Sequence, residues 1–275
     1  MLKKIMIGLL IGLPTLAVAG AVTFAYFFGF IFPQIDETPP ADFPTELSDN
    51  AVLIFDKTNG FVHKDTLPVA RKMLNDIAAA NGWDIYHTSN GAVMNPDMLA
   101  KFKLVVWNNT SGTTLSDEQG EAFRTWLTNG GAFVGLHAAG GDFYYSWKWY
   151  VNELIGAQFE GHTMNPQFQD ATVINENDAS GLTSHIPARW DVPYEEWYGF
   201  DKSVRGKSNV LLSLDESSYD PNDAGMDGGD HPIAWWHMIG EGRAVYSAIG
   251  HQPDTYLIPE YHRFVEKAMI WAGRF

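Results

Sequence analysis

Short, continuous runs of apolar residues recur through the first half of the sequence. The first of them, Ala51–Phe55, ends in a polar loop at residues 56–64. Uninterrupted apolar runs of this length are typical of strands that are covered on both faces of a parallel sheet. The pattern therefore predicts buried strands at Ala51–Phe55 and Ala132–Leu136, and two further strands are predicted at Trp83–Thr88 and Leu104–Trp107.

Two helical patterns alternate with these strands. Between Thr66 and Asn81 apolar residues recur every three or four positions, and Gly82 stands where a helix commonly ends. Ser116 and Gln119 have the spacing of a capping box, which predicts a second helix running towards Gly130. Strands that alternate with helices in this way predict an α/β fold with a doubly wound, mostly parallel sheet and helices on both faces.

The second half of the sequence has a more mixed pattern. It predicts a helix at Trp147–Ile155 and a closing helix at Pro259–Trp271, with proline in the first turn of the latter. Alternation and β-branched residues predict further strands at Ala171–Ile174, Val210–Leu214, Ile233–Trp236 and Arg243–Ala248.

The N-terminus differs from the rest of the chain because residues 5–32 contain no charged side chain. This run is long enough to cross a hydrocarbon core of about 30 Å. Lys3 and Lys4 precede it, so the positive-inside bias places everything after Pro33 in the periplasm or outside the cell. We expect an uncleaved transmembrane helix as membrane anchor at residues 1–33; a signal peptide cleaved after Ala19 is the alternative.

The remaining sequence divides into a linker and one domain. Residues 34–50 are rich in proline and acidic residues and have no regular period, which predicts a linker standing off the membrane. Residues 51–275 have the length of a single α/β domain with insertions. The composition, 45% hydrophobic and 14% aromatic, is typical of a packed chain.

Charge and cysteine content exclude several functions. The formal net charge is −15, and loss of the two N-terminal lysines takes it to −17, so we expect no nucleic-acid partner. There is no cysteine, which removes disulfides, thiolate metal sites and cysteine nucleophiles. Any catalysis therefore depends on other side chains.

Histidines stand at the carboxyl ends of several predicted strands, where open α/β sheets bind ligands. His63 follows the first strand, His137 ends the fourth, and His251 follows the strand at Arg243–Ala248. The glycine-rich turn after His137 resembles a nucleophile elbow, but imidazole at its tip favours a general base or a metal ligand. Asp142 lies on that turn as a candidate for sugar-hydroxyl contact, and Tyr144 is either a stacking wall for a sugar ring or a core residue.

Five motifs in this order resemble the ThuA (trehalose utilization) family over residues 51–275. They are residues 58–63 (TNGFVH), 135–139 (GLHAA), 159–162 (FEGH), 195–198 (EEWY), and 231–235 (HPIAW) leading into 242–251, a stretch that ends in SAIGH. The resemblance implies a fold similar to class I glutamine amidotransferases. His137 stands in place of the elbow cysteine of those enzymes, which argues against glutaminase chemistry.

The resemblance also implies a role in carbohydrate catabolism. Its substrates would be disaccharides or glycosides, or their 3-keto derivatives formed by a partner sugar dehydrogenase. A keto group acidifies neighbouring C–H bonds, so a lyase, hydrolase or isomerase acting by acid–base chemistry fits the residues present. A non-catalytic carbohydrate-binding or scaffold module on the same fold is the alternative.

Roles can be assigned residue by residue from the matched motifs. Glu195 stands where the family usually has aspartate. Imidazoles and carboxylates without thiolates suit zinc, manganese or iron, and no nucleotide cofactor is expected. The candidates are His137 and Glu196 for acid–base catalysis, His63, His162 and His251 for a metal, and Asp142, Tyr144, Tyr198, His231 and Trp235 for the substrate.

Overall fold

The computed structural model describes residues 33–143 and 145–275. The anchor predicted at residues 1–33 lies outside the described residues, apart from Pro33, and so does Tyr144. Within the described ranges no helix is both long enough and apolar enough to cross a membrane.

Eleven strands and four α-helices are present in these ranges. The strands are β1 Ala51–Phe55, β2 Asp84–Thr88, β3 Leu104–Asn108, β4 Ala132–Leu136, β5 Phe159–His162, β6 Phe168–Asn175, β7 Arg189–Glu196, β8 Tyr198–Phe200, β9 Asn209–Leu214, β10 Pro232–Ile239 and β11 Gly242–Ser247. The helices are α1 Thr66–Asn81, α2 Pro96–Leu99, α3 Asp117–Thr128 and α4 Pro259–Gly273, and a π-helical turn covers Tyr150–Ile155.

Nine strands form the central sheet, in the order β2-β1-β3-β4-β11-β10-β9-β6-β7. The strands from β2 to β11 in that order run parallel to their neighbours. The remaining four extend the sheet by antiparallel pairing. Strands β1, β3 and β4 are buried along their whole length, as their apolar runs predict. Strands β5 and β8 pair separately as a two-stranded sheet.

Two neighbouring tryptophans of β10 show that both faces of the sheet are covered, because successive strand residues point to opposite faces. Trp235 Nε1 donates to the carbonyl of Ile155 at the end of the π-helical turn. The ring of Trp236 packs 4.7 Å from that of Trp271 in α4. The π-helical turn and α4 therefore lie on opposite faces.

The other two long helices divide in the same way. Helix α1 lies beside α4, since Asn81 Nδ2 donates to Glu266 at 3.0 Å. Helix α3 lies on the opposite face, because its Phe123 packs against Trp107, whose ring stacks on Tyr150. The predicted α/β architecture with helices on both faces is present.

Agreement with the sequence is closest in the first half of the domain. The four strands and both helices predicted there lie within two residues of the expected limits. The helix predicted at Trp147–Ile155 is instead the π-helical turn. Strands β5, β7 and β8 are additional to the predicted elements, and all three contribute to the site described below.

The segment at residues 34–50 has no regular structure, but it lies against the domain. The carboxylate of Asp36 forms an ion pair with Lys57, a side chain that is almost fully buried. Gln119 donates its side-chain amide to the Asp36 carbonyl at 2.6 Å. The ring of Phe43 packs edge-on against Tyr86 at 5.3 Å. This segment therefore covers part of the domain surface.

The beginning of the described chain lies beside the loop that follows β1. Asn59 Nδ2 donates to the Gln34 carbonyl at 3.0 Å and to the Thr113 carbonyl at 2.6 Å. The same loop continues through Phe61 to His63. Gln34 is thus held close to a loop that contributes to the candidate site.

Candidate active site and metal centre

A cavity of about 130 Å³ lies at the carboxyl ends of the parallel strands. Loops after β1 and β11 bring His63 and His251 to it, and β5, β7 and β8 add side chains from the other side. Six of the ten residues singled out in the sequence line it: His63, Asp142, His162, Glu196, Tyr198 and His251. This is where a doubly wound sheet is expected to bind a ligand.

His137 follows β4 directly and is fully buried beneath the cavity. Its backbone has a φ of 46°, a conformation that is rare for residues other than glycine. The turn after it needs small residues, because a Cβ on Gly140 or Gly141 would lie about 2.5 Å or less from Tyr246 or Tyr198. The predicted strand-to-turn geometry is present, with imidazole at its tip.

Three imidazoles and one carboxylate converge below this cavity. The ring of His63 lies 4.8 Å from that of His137 and 4.6 Å from that of His251, and the last two rings are 5.3 Å apart. Glu196 Oε2 lies 3.6 Å from His137 Nε2 and 3.0 Å from His251 Nδ1. One nitrogen or oxygen from each of these four residues lies within 4.8 Å of the others, a spacing at which they could hold a metal ion.

Hydrogen bonds fix the protonated nitrogen of two of these histidines. A backbone carbonyl only accepts, so His137 Nδ1 carries the proton that it donates to Ala248 at 2.7 Å. His251 Nδ1 donates to the Glu196 carboxylate. In the neutral form of either ring, the lone pair is then on Nε2. Metal-binding histidines commonly donate their second nitrogen to a carbonyl or carboxylate in this way.

His63 differs from the other two because Nδ1 is buried and has no hydrogen-bond partner. Burial, followed by the neighbouring His251, lowers the pKa of His63 to about 3. A buried polar atom without a partner is costly, and a ligand that binds it removes that cost. The arrangement is that of a site prepared for an electron-pair acceptor.

The charge states of the cluster also suit a cation. Burial holds the pKa of His137 well below its usual value, so its imidazole is neutral. Burial raises the pKa of Glu196, but the hydrogen bond from His251 and the nearby imidazoles more than offset this and leave it below its usual value. Carboxylate oxygens and imidazole nitrogens are the ligand types that zinc, manganese and iron accept.

Tyr198 stands between the cluster and the cavity. Its hydroxyl donates to His137 Nε2 at 2.8 Å, and the two rings stack at 4.3 Å. Burial and the nearby Glu196 raise the pKa of Tyr198 well above its usual value, so the hydroxyl keeps its proton. A ligand at His137 Nε2 would replace this hydrogen bond.

His162 occupies a position in the cavity wall. Its Nδ1 donates to the Thr163 carbonyl at 2.8 Å and lies 3.3 Å from Glu196 Oε1. It does not belong to the group of four potential ligands, whereas His137 does. His137 therefore has the position of a candidate ligand, and the roles predicted for His137 and His162 from the sequence stay predictions.

Two of the expected substrate residues lie away from the cavity. His231 is fully buried, with Nδ1 bonded to Glu216 at 2.7 Å and Nε2 to the Tyr198 carbonyl at 2.7 Å. Trp235 is fully buried and packs against Phe200. Neither residue is among those that line the cavity, and substrate contact by either one stays a prediction.

Asp142 lies at the cavity as expected. Its Oδ2 accepts from the backbone N–H of Gly112 at 2.7 Å, and its side chain is among those lining the cavity. Its position at the cavity keeps the carboxylate a candidate acceptor for a sugar hydroxyl.

Glu195 and Gln167 are functional neighbours that the sequence did not assign. Fully buried Glu195 accepts from the backbone N–H groups of His251 and Gln252 and from the Thr255 hydroxyl. Burial raises its pKa to about 7. Gln167 donates to Glu196 Oε1 at 2.6 Å. The adjacent glutamates at residues 195 and 196 were a sequence signal for functional acids. Only the fold shows that Glu196 lines the cavity and that Glu195 holds the loop containing His251.

Comparison with known proteins gives a family and a fold. The family model described as ThuA, trehalose utilisation, matches residues 51–272. A ThuA-like protein from Bacteroides uniformis has a TM-score of 0.71 and 23% sequence identity, over 86% of this chain and 95% of that one. A ThuA-like protein from Parabacteroides merdae has a TM-score of 0.64 and 14% identity, over 81% and 89% of the two chains.

A more distant match lies within a larger enzyme. A β-galactosidase from Rahnella sp. R3 has a TM-score of 0.50 and 16% identity, over 82% of this chain but 31% of that one. No curated protein matches the sequence. At these identities the solved structures show a shared fold.

Proposed function

The chain belongs to the ThuA family, described as trehalose utilisation, and from this premise we propose that it is a metal-dependent enzyme that acts on a sugar or glycoside by acid–base chemistry. The observation that supports this proposal is the convergence of His63, His137, His251 and Glu196 at the base of one cavity. A disaccharide or glycoside, or its 3-keto derivative, is the substrate class that the family resemblance implies.

The residues of the cluster fit a divalent metal. His137 and His251 would offer Nε2, the unpaired ring of His63 a third nitrogen, and Glu196 an oxygen. A zinc, manganese or iron ion bound there would polarise a carbonyl or hydroxyl oxygen of the sugar. The negative charge of Glu196 would be shared between this cation and the imidazole of His251.

His162 is the proposed general base. Its Nδ1 proton is donated to the Thr163 carbonyl, so Nε2 has the lone pair that can take a proton from substrate. On a keto sugar this would be a proton from a carbon next to the carbonyl, whose bonding electrons pass to the carbonyl oxygen. Glu196, 3.3 Å from Nδ1, would stabilise the imidazolium that forms. Elimination and isomerisation share this first step.

Other side chains would orient the sugar. Asp142 would accept a hydrogen bond from a ring hydroxyl while its bond to Gly112 holds the carboxylate in place. Tyr198 would present its hydroxyl to the substrate once His137 Nε2 is engaged by a ligand. Because the cluster is buried, water has little access to it, which strengthens these electrostatic interactions.

We also propose a cellular setting from the sequence. The apolar segment at residues 5–32 would anchor the enzyme, with the domain periplasmic or extracellular. A sugar dehydrogenase that forms 3-keto glycosides would then be a partner in the same compartment.

Metal analysis combined with matched histidine variants tests the proposal. The purified full chain should contain roughly one divalent metal ion per molecule, as a four-ligand site binds one ion. His63→Ala should lose both the metal and the turnover of 3-keto glycosides. His162→Ala should keep the metal and lose turnover by roughly 10²- to 10⁴-fold, the usual contribution of a general base.

The control for these variants is His87→Ala, because His87 lies on strand β2 and bonds to Asn75 of helix α1 and not to the cluster. It should keep both metal and turnover. Metal content that is unchanged in His63→Ala would contradict the proposed centre. Sugar binding without turnover, unchanged in both site variants, would favour the alternative of a non-catalytic carbohydrate-binding module.

A further inference from the structure

Exposed apolar side chains lie on the segments that form one side of the cavity and on those next to it. Phe61 and Phe143 line the cavity, Val62 stands between two lining residues in the chain, and Met164 stands two positions after the lining residue His162. We call these four residues the apolar rim. Each of them is 48–52% exposed, and they are four of the seven large apolar side chains found exposed in the described part of the chain. Exposed apolar groups concentrated at one site indicate a binding surface.

The size of the cavity indicates what lies against this rim. Its volume of about 130 Å³ is smaller than the roughly 300 Å³ at the lower end of ordinary small-molecule sites. A glycoside, which consists of a sugar and a second group bonded to it, therefore cannot be enclosed entirely. One part reaches the polar cluster, and the other extends over the rim.

The chemistry of the rim side chains indicates whether the second group is another sugar ring or an aromatic group. Phenylalanine and valine offer no hydrogen-bonding group, and methionine offers only a weak acceptor. A second sugar ring would place its hydroxyls against side chains that cannot bond to them, and burying such groups unpaired is costly. An aromatic group would instead pack on the rings of Phe61 and Phe143.

The position of the two rings supports this assignment. The ring of Phe61 packs 4.8 Å from His63, a proposed metal ligand. The ring of Phe143 packs 4.9 Å from Phe159, which in turn lies 4.6 Å from Tyr198. Ring contacts therefore connect Phe61 to His63 and Phe143, through Phe159, to Tyr198. A group bonded to a sugar in the cavity would reach the rings of Phe61 and Phe143.

We infer that the preferred substrates are glycosides with an aromatic aglycone, the sugar lying in the cavity and the aglycone on the apolar rim. This inference rests on the proposed function, because it assumes that the cavity binds a sugar. It makes Phe61 and Phe143 determinants of specificity.

Binding of paired ligands to the full chain tests the inference. The probes are methyl and phenyl glucosides of both anomers, each used plain and as the 3-keto derivative, with affinities measured by calorimetry. The phenyl compound should bind at least about tenfold more tightly, since burial of about 60 Å² of apolar surface corresponds to this factor. In Phe61→Ala and Phe143→Ala this ratio should fall towards one while the methyl glucoside binds as before.

Met238→Ala is the matched control. Met238 is also 48% exposed, but it lies on β10, pairs with Arg243 of β11, and does not line the cavity. It should keep the phenyl preference, and Phe61→Leu should keep part of it. Methyl and phenyl glucosides that bind equally well, or a preference that survives in both alanine variants, would overturn the inference and leave the proposed function standing. If neither glucoside binds in any form, the proposed function fails and the inference fails with it.

Discussion

His63 is the residue at which the stability of the fold and the chemistry of the site conflict. Its imidazole is buried, has one nitrogen without a partner, and has a pKa of about 3. In the unfolded chain the same group has a pKa near 6.5. Between these two values the unfolded state binds a proton that the folded state does not, so the free energy of unfolding must fall as the pH is lowered.

This difference predicts the effect of replacing His63. In metal-free protein the free energy of unfolding should fall between pH 6 and pH 4, and His63→Gln should reduce that slope by up to about 1.4 kcal/mol per pH unit, the value for one proton. Urea denaturation at several pH values in the presence of a chelator measures it. An unchanged slope in the variant would mean that His63 takes up its proton at an ordinary pH.

The sequence predicts which histidines approach the site but not what each one does there. His63, His137 and His251 follow strands of a parallel sheet, so their convergence follows from topology. The protonated nitrogen of His137 depends on the Ala248 carbonyl, 111 residues away. His162 comes from a small sheet that no apolar run predicts. The roles that we propose for these two histidines therefore depend on side-chain packing.

At the scale of elements, the start of helix α3 is fixed by a reciprocal pair of hydrogen bonds. The Ser116 hydroxyl accepts from the backbone N–H of Gln119 at 3.2 Å, and the Gln119 side chain accepts from the backbone N–H of Ser116 at 3.0 Å. The capping box predicted from the sequence is confirmed. Gln119 also bonds to the segment that contains Asp36, so this helix end supports a neighbouring part of the chain.

Ser116→Ala should therefore lower the free energy of unfolding by about 1 kcal/mol, the usual value of an N-terminal cap. Ser146→Ala is the control, because this exposed hydroxyl makes only a 3.3 Å contact with Thr113 and should change stability by less than about 0.5 kcal/mol. Urea denaturation followed by tryptophan fluorescence compares the two. Equal effects would show that the cap contributes nothing specific.

The strands that the sequence did not predict have identifiable physical reasons. Strand β7 contains Pro193 and alternates exposed and buried residues, and it is tolerated because it forms the edge of the nine-stranded sheet. Strand β5 has only four residues, one of them Gly161, and is held by pairing His162 with Tyr198. Local patterns identify strands buried on both faces more readily than short strands stabilised by distant partners.

For the molecule as a whole, the segment at residues 34–50 belongs to the folded unit. Lys57 is buried and its partner is Asp36, so removal of the segment leaves a buried charge without a counter-ion. A fragment of residues 51–275 should therefore be less stable than one of residues 33–275 by about 1 to 3 kcal/mol, between the values for an exposed and a fully buried pair, because the Asp36 side chain is 33% exposed.

Urea denaturation of the two fragments checks this expectation. Asp36→Asn in the longer fragment separates the ion pair from the other contacts of the segment and should account for most of the loss. Asp42→Asn is the matched control, because Asp42 bonds only to the hydroxyl of Tyr86 near the surface. Equal stabilities of the two fragments would show that the segment is dispensable for folding.

The hydrogen bond between Asn59 and the Gln34 carbonyl brings the start of the described chain beside the apolar rim. Phe61 is two residues from Asn59, a separation that the extended backbone covers in about 7 Å. In the membrane-anchored form that we propose, the open side of the cavity would face the layer of lipid headgroups of the membrane. Amphiphilic glycosides that partition into that layer would then reach the enzyme by lateral diffusion, at a local concentration above that of the surrounding medium.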